Sequence, residues 1–249
     1  MTRSSGSATA IVPWSAGPGR GTATVRKHAA MTDDQPDRRS EYVPALRFHW
    51  LTALYDPLIE RWTPAGLMRG AVIEALDLRP GLRLLELGCG PGRLAIEIRR
   101  RWPDLTIEAL DGDPAILDVA RRNAARAGVE IVFRRADITR LPDLGIHDRV
   151  YSTLVFHHLS PAGKRSALDG IRRVLTRDGH AVLADFSRPR GALQRILFSA
   201  VGWLDGPGNT HPHRDGQFEQ ALRDNFAQVR SAAVWRTVFG TVEMFICRP

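Results

Sequence analysis

Between residues 84 and 186 the chain alternates short apolar runs with longer segments whose apolar positions recur every three or four residues. The short runs read as buried strands and the longer ones as amphipathic helices. Leu84, Leu85 and Leu87 form the first strand, and residues 93–101 follow at helical spacing. Residues 105–110 form a second strand, after which Asp113 and Pro114 open a helix as N-cap and first-turn proline. Residues 129–134 make a third strand, 148–159 contain the fourth, and 181–186 form the fifth. Strands that alternate with helices predict an α/β chain. Farther on, residues 192–204 read as an amphipathic helix, 205–216 as a polar Gly/Pro-rich loop and 217–225 as a helix. Residues 228–236 and 241–247 alternate on either side of Val238-Phe239-Gly240 and predict an antiparallel final pair.

Upstream of the first strand, residues 66–78 predict a helix. Residues 42–62 place Phe48, Trp50, Leu51, Leu54, Tyr55, Leu58, Ile59 and Trp62 at helical spacing, with a break at Pro57. Residues 1–40 are rich in Ser, Thr, Ala, Gly, Arg and Pro and predict disorder. Met31 offers an alternative start within them.

The first strand ends in Glu86-Leu87-Gly88-Cys89-Gly90-Pro91-Gly92. Glycines at such a turn let backbone approach a ligand and permit positive φ. The helix behind the turn presents free N–H groups and a positive dipole end to an anion. A dinucleotide fingerprint, G-x-G-x-x-G, needs its third glycine one place later, where Arg93 stands. The G-x-G-x-G spacing and the acidic Glu86 suit S-adenosylmethionine (SAM) instead. Its carboxylate meets the helix end and its ammonium meets Glu86. Asp111, about 20 residues past the loop, is placed for both ribose hydroxyls. Asp137, at the end of the third strand, is placed for an adenine amine, with a helix cap or turn residue as the alternative reading.

These stations, in this order, resemble the class I SAM-dependent methyltransferases, in particular the broad group that includes quinone-biosynthesis enzymes. LELGCGPG resembles the first motif of that family, and Asp111 and Ala136-Asp137 match its ribose and adenine positions. DRVYSTLVFHHL, residues 148–159, resembles its fourth-strand segment. Residues 171–185 resemble its helix, Gly turn and fifth strand, with Thr176-Arg177-Asp178-Gly179-His180 replacing the usual turn. The resemblance implies a doubly wound, seven-stranded, mostly parallel sheet with an antiparallel last strand and helices on both faces. It also implies division into a helical lid (41–65), a SAM-binding core (66–187) and a substrate side (188–249). The 42–62 segment then reads as that lid, or as a helix pair packed on the core. The cofactor residues implied are Glu86, Gly88, Cys89, Gly90, Gly92, Asp111, Gly112, Asp137 and Ile138.

The net charge of +8 invites a nucleic-acid reading, yet only Lys27 and Lys164 of the 35 basic residues are lysines, and the arginines spread over helix faces. No recognition module accompanies them. Cys89 and Cys247 lack metal-ligand spacing and suit a reducing cytoplasm, where the protein is expected. His211-Pro212-His213 lacks a second ligand cluster, so no metal is expected. No apolar stretch reaches the roughly 18 residues of a spanning helix, which leaves at most peripheral membrane contact.

The expected chemistry is methyl transfer to a small, partly apolar acceptor, with O, C or N as the attacked atom. His158, with His157 second, is the candidate base at the end of the fourth strand, where open α/β sheets bind ligands. A non-catalytic SAM-binding protein and an NAD(P) dehydrogenase are the alternatives. Oligomeric state is left open.

Overall fold

Strand β1 (Arg83–Leu87) is buried at every position after its first residue, as a strand covered on both faces must be. It is the third strand of a seven-stranded sheet ordered β3-β2-β1-β4-β5-β7-β6. The computed structural model describes residues 65–187, 217–237 and 240–249. The expected disorder at 1–40, the lid at 42–62, the helix at 192–204 and the 205–216 loop with His211 and His213 lie outside these residues.

Helix α1 (Ala65–Ala75) precedes β1, and α2 (Arg93–Arg101), β2 (Thr106–Asp111), α3 (Pro114–Ala127) and β3 (Val132–Arg135) follow it. Then come β4 (His147–Thr153), α4 (Pro161–Val174), β5 (Leu175–Ser187), α5 (Gln217–Asn225), β6 (Gln228–Thr237) and β7 (Gly240–Arg248). The first five strands pair in parallel, whereas β7 runs antiparallel to both β5 and β6. The expected seven-stranded, doubly wound sheet with its antiparallel last strand is therefore present.

Strand alternation divides the core. Leu85 and Leu87 pack with Leu168 and Ile171 of α4 and Phe218 and Leu222 of α5. Leu84 faces the other way, toward Val72 and Leu76 near α1 and Leu94 and Ile98 of α2. Truncating any one of these fully buried leucines to alanine costs about 2–5 kcal/mol.

One boundary differs from expectation. Residues 176–180 are not a turn before a strand at 181. Leu175 pairs with His147, and His180 with Arg149, so β5 advances five residues while β4 advances two. The predicted turn is thus a bulge inside a 13-residue strand. Gly179 sits in it because a Cβ there would lie 2.8 Å from the Asp148 carbonyl oxygen.

Candidate active site

All three loop glycines have positive φ, +69° at Gly88, +52° at Gly90 and +76° at Gly92, but their surroundings differ. A Cβ on Gly88 would strike Val155 at 2.4 Å, and one on Gly92 would press on Ala120 and Phe133 at 3.2 Å. Those two glycines let the loop pack against the end of β4 and against α3. A Cβ on Gly90 would meet nothing within 4 Å. Gly90 therefore borders open space, and without a Cβ its backbone can be approached by a ligand.

The loop is held from two sides. The Gly90 N–H donates to Asp111 Oδ2 at 2.9 Å, and Asn123 Nδ2 of α3 donates to the Pro91 carbonyl at 3.0 Å. Asp111 Oδ1 accepts from the Asp113 N–H at 3.0 Å. Burial raises the pKa of Asp111, while backbone N–H groups of Asp113, Gly90 and Gly112 counter the rise. A carboxylate has about four lone-pair sites, so hydroxyl donors still find acceptors on it. Asp113 caps α3 through the Ala115 N–H at 2.8 Å, as its sequence position implied.

Glu86 is 2% exposed and lies on the sheet face that carries α2. The Tyr151 hydroxyl donates to its Oε2 at 3.4 Å, and the Ala95 N–H of α2 also reaches it. Burial, the dominant cause, raises its pKa to about 8, and the nearby Asp111 charge adds to the rise. A buried acid in that state gains from any cation brought beside it.

Three expected residues take different parts. Cys89 packs its side chain with Ala109 and Leu117, and burial pushes its thiol far up, so only its backbone runs along the loop. Ile138 is 7% exposed and belongs to the core around α4. Its side chain is a packing group. Asp137 is exposed and caps the short 3-10 turn Ile138–Arg140, its Oδ1 accepting from the Thr139 N–H at 2.9 Å and the Thr139 hydroxyl at 2.7 Å. The cap reading of Asp137 is realised, with Oδ2 outside those bonds.

His157 and His158 lie just beyond β4, on the 3-10 turn Phe156–His158. His157 Nδ1 is 2.9 Å from Oδ1 of Asp185, which is 1% exposed at the end of β5. The exposed His158 stacks on His157 with ring centroids 3.9 Å apart, and Phe186 meets His157 edge-on at 5.0 Å. Asp185 also accepts from the Val155 and Phe156 N–H groups at 2.9 and 2.6 Å and from the Phe186 N–H at 2.7 Å. Those bonds follow Leu154, a non-glycine residue at φ 57°. Such backbone costs of order 1–3 kcal/mol and persists where its surroundings fix it. Asp185 went unnoticed in the sequence, although an acid closing an apolar strand is the same signal that marks Asp111.

Residues 84–179 match the family model described as a methyltransferase domain. The chain is 35% identical over 138 residues to a demethylmenaquinone methyltransferase of Thermus thermophilus, covering 53% of this chain and 61% of that protein. It is 32% identical over 160 residues to a ubiquinone biosynthesis O-methyltransferase of Alkalilimnicola ehrlichii, covering 58% and 63%. The chain thus spans about six-tenths of the length of these curated relatives. Among solved structures, magnesium protoporphyrin IX methyltransferase from Synechocystis PCC 6803 with bound SAH shares the fold. The TM-score is 0.60 at 20% identity, over 74% of this chain and 83% of that one. Among the described residues, no three His, Cys, Asp or Glu side chains gather to hold a metal, and no helix is long and apolar enough to cross a membrane.

Proposed function

We propose that this chain, whose residues 84–179 match the methyltransferase-domain family model, is a class I SAM-dependent methyltransferase that binds SAM at the loop after β1 and transfers its methyl group to a small, partly apolar acceptor. The observation that carries the reading is the cradle at Gly90: open space over a positive-φ glycine, braced by Asp111, with the buried acid Glu86 in the strand behind it. The residues fit the cofactor's chemistry. Glu86 suits its ammonium, Gly90 and the uncapped N-terminus of α2 suit its carboxylate, and Asp111 suits its ribose hydroxyls. Asp137 Oδ2 suits its adenine amine. When bound, SAM supplies a methyl group on cationic sulfur whose loss leaves a neutral thioether.

The protein's remaining work is to orient the acceptor and remove its proton. With Nδ1–H donated to Asp185, the neutral His157 ring keeps Nε2 as its basic nitrogen. Nε2 accepts a proton from a hydroxyl or acidic C–H, and Asp185 fixes tautomer and ring orientation and steadies the imidazolium. The names of the two quinone-pathway relatives direct the acceptor search to quinols and phenols. Calorimetric titration with SAM, SAH and NAD tests the cofactor, and SAH release with a panel of quinols and phenols tests the transfer. Tight SAM and SAH binding with no NAD binding is expected. Binding of NAD alone overturns the reading, and SAM binding without SAH release from any acceptor favours the non-catalytic alternative.

A further inference from the structure

Helices α2 and α3 carry seven arginines against two acids, Glu97 and Asp118, a net charge of +5. Between the two helices runs a groove of about 770 Å³. Its α2 wall carries Arg93, Glu97, Arg100 and Arg101, spaced as one helix face, and its α3 wall carries Asn123 and Arg126. Arginines far apart in sequence are thus gathered round one concavity. Like charges so placed repel one another, and an anion seated among them relieves the repulsion.

The acids do not neutralise the groove. Glu97 is claimed twice, its Oε1 by Arg101 at 2.7 Å and its Oε2 by Arg69 of α1 at 3.4 Å. Asp118 pairs with Arg121 at 2.8 Å. Arg100 and Arg126 are exposed and make no ion pair among the described residues. The side-chain nitrogen of Asn123 is spent on the Pro91 carbonyl, so guanidinium groups are the donors that remain. A guanidinium fork matches the oxygens of a phosphate in bidentate fashion. Ile96 is the one apolar side chain on the lining, and no aromatic ring joins it. The groove therefore offers little to an apolar ligand or to a stacked base. Arginine stands on both walls, so a ligand with linked phosphates meets both at once.

We propose that the α2–α3 groove is a second binding site, beside the cofactor loop, for an anion with linked phosphates, held by the Arg100 and Arg126 guanidinium groups from opposite walls. SAM carries no phosphate, so the occupant is a different molecule, and the site does not depend on the cofactor or base roles given above. Two sources present this chemistry: a soluble di- or triphosphate, and a lipid headgroup with two phosphates.

The test has two arms, both on the full-length protein at fixed ionic strength and without SAM. One is calorimetric titration with inorganic tripolyphosphate. The other is co-sedimentation with phosphatidylcholine vesicles that contain cardiolipin, against pure phosphatidylcholine. Saturable binding of tripolyphosphate identifies a soluble ligand, and vesicle binding without it identifies the headgroup. In R100Q/R126Q the binding weakens about 10-fold or more, as loss of charge-assisted hydrogen bonds requires. R126Q alone repeats the measurement should the double variant not fold. R172Q/R173Q removes the same charge from exposed positions of α4 and leaves the affinity as it is in wild type. No saturable binding in either arm overturns the proposal, also where a single-stranded RNA oligomer binds instead. Equal weakening by the two double variants overturns it too, since net charge would then be the cause.

Discussion

The Gly90 amide and the Asp111 carboxylate, 2.9 Å apart, tie the turn after β1 to the end of β2. One side chain therefore braces the loop, accepting from the Gly90 and Asp113 N–H groups. D111N replaces one acceptor oxygen by a donor and cannot satisfy both the Gly90 and the Asp113 N–H. Its SAM affinity falls about 10-fold or more, since an unmatched buried donor costs about 1–3 kcal/mol. G90V fills the open space with a branched side chain at positive φ and abolishes SAM binding. Calorimetry with circular dichroism checks both. Unaltered affinity in both variants would remove the loop from cofactor binding.

Glu86 links binding to pH. Its pKa stands at about 8 in the fold against an ordinary value of 4.5. The native state therefore binds the extra proton, and stability without ligand is full below pH 4.5 and falls as pH rises toward 8. In E86Q this slope flattens, and the variant gains stability over wild type at pH 8. A cation seated beside Glu86 favours its ionised form, so SAM binding at pH 7 releases a proton. Calorimetry in buffers of different ionisation enthalpy counts that proton. Equal observed enthalpies in all the buffers would mean that no proton is released and would contradict the pairing.

His157, rather than His158, carries the acid limb of the rate profile. H157Q lowers kcat about 10²–10⁴-fold with SAM affinity unchanged, and its kcat–pH profile loses the limb an imidazole gives. H158Q leaves the limb in place, because it is His157 Nδ1 that stands 2.9 Å from Asp185 Oδ1. The reverse pattern of effects would return the base to His158.

A fourth prediction concerns acid stability. His180 Nε2 meets the Ala75 carbonyl at 2.9 Å and Arg149 Nε donates to the Leu76 carbonyl at 2.6 Å, so β4 and β5 cap the end of α1. Burial, with the Arg149 charge, lowers the His180 pKa to about 4 from 6.5. The unfolded chain then takes up the proton first, so stability is full above pH 6.5 and drains as pH falls toward 4. Urea titrations of H180Q show a shallower loss across that window. A loss as steep as that of wild type would place the acid sensitivity elsewhere.

The sheet and the cofactor loop were largely legible in the chain, because each depends on near neighbours. The apolar run before Gly88, the helical spacing after Gly92 and the Asp113-Pro114 start are local signals, and the elements formed where they stood. The β5 bulge was not legible, since it depends on Leu175 finding His147, 28 positions away in sequence. The inward packing of the Cys89 and Ile138 side chains was not legible for a related reason. Spacing puts them beside the loop and the turn, but which way a side chain points is settled by what packs against it.

Sequence alone thus determined where backbone must bend and which acids end strands, because backbone sterics and the helical and strand periods act over a few residues. Tertiary structure decided which of those acids face a cleft and which brace a neighbour. It buried Glu86 against Tyr151 and set His157 Nδ1 against the buried Asp185. Glu86 and Tyr151 lie 65 positions apart in sequence, and His157 and Asp185 lie 28 apart, in segments that meet only when the sheet is assembled. Desolvation and charge pairing then give the same residue types different chemistry.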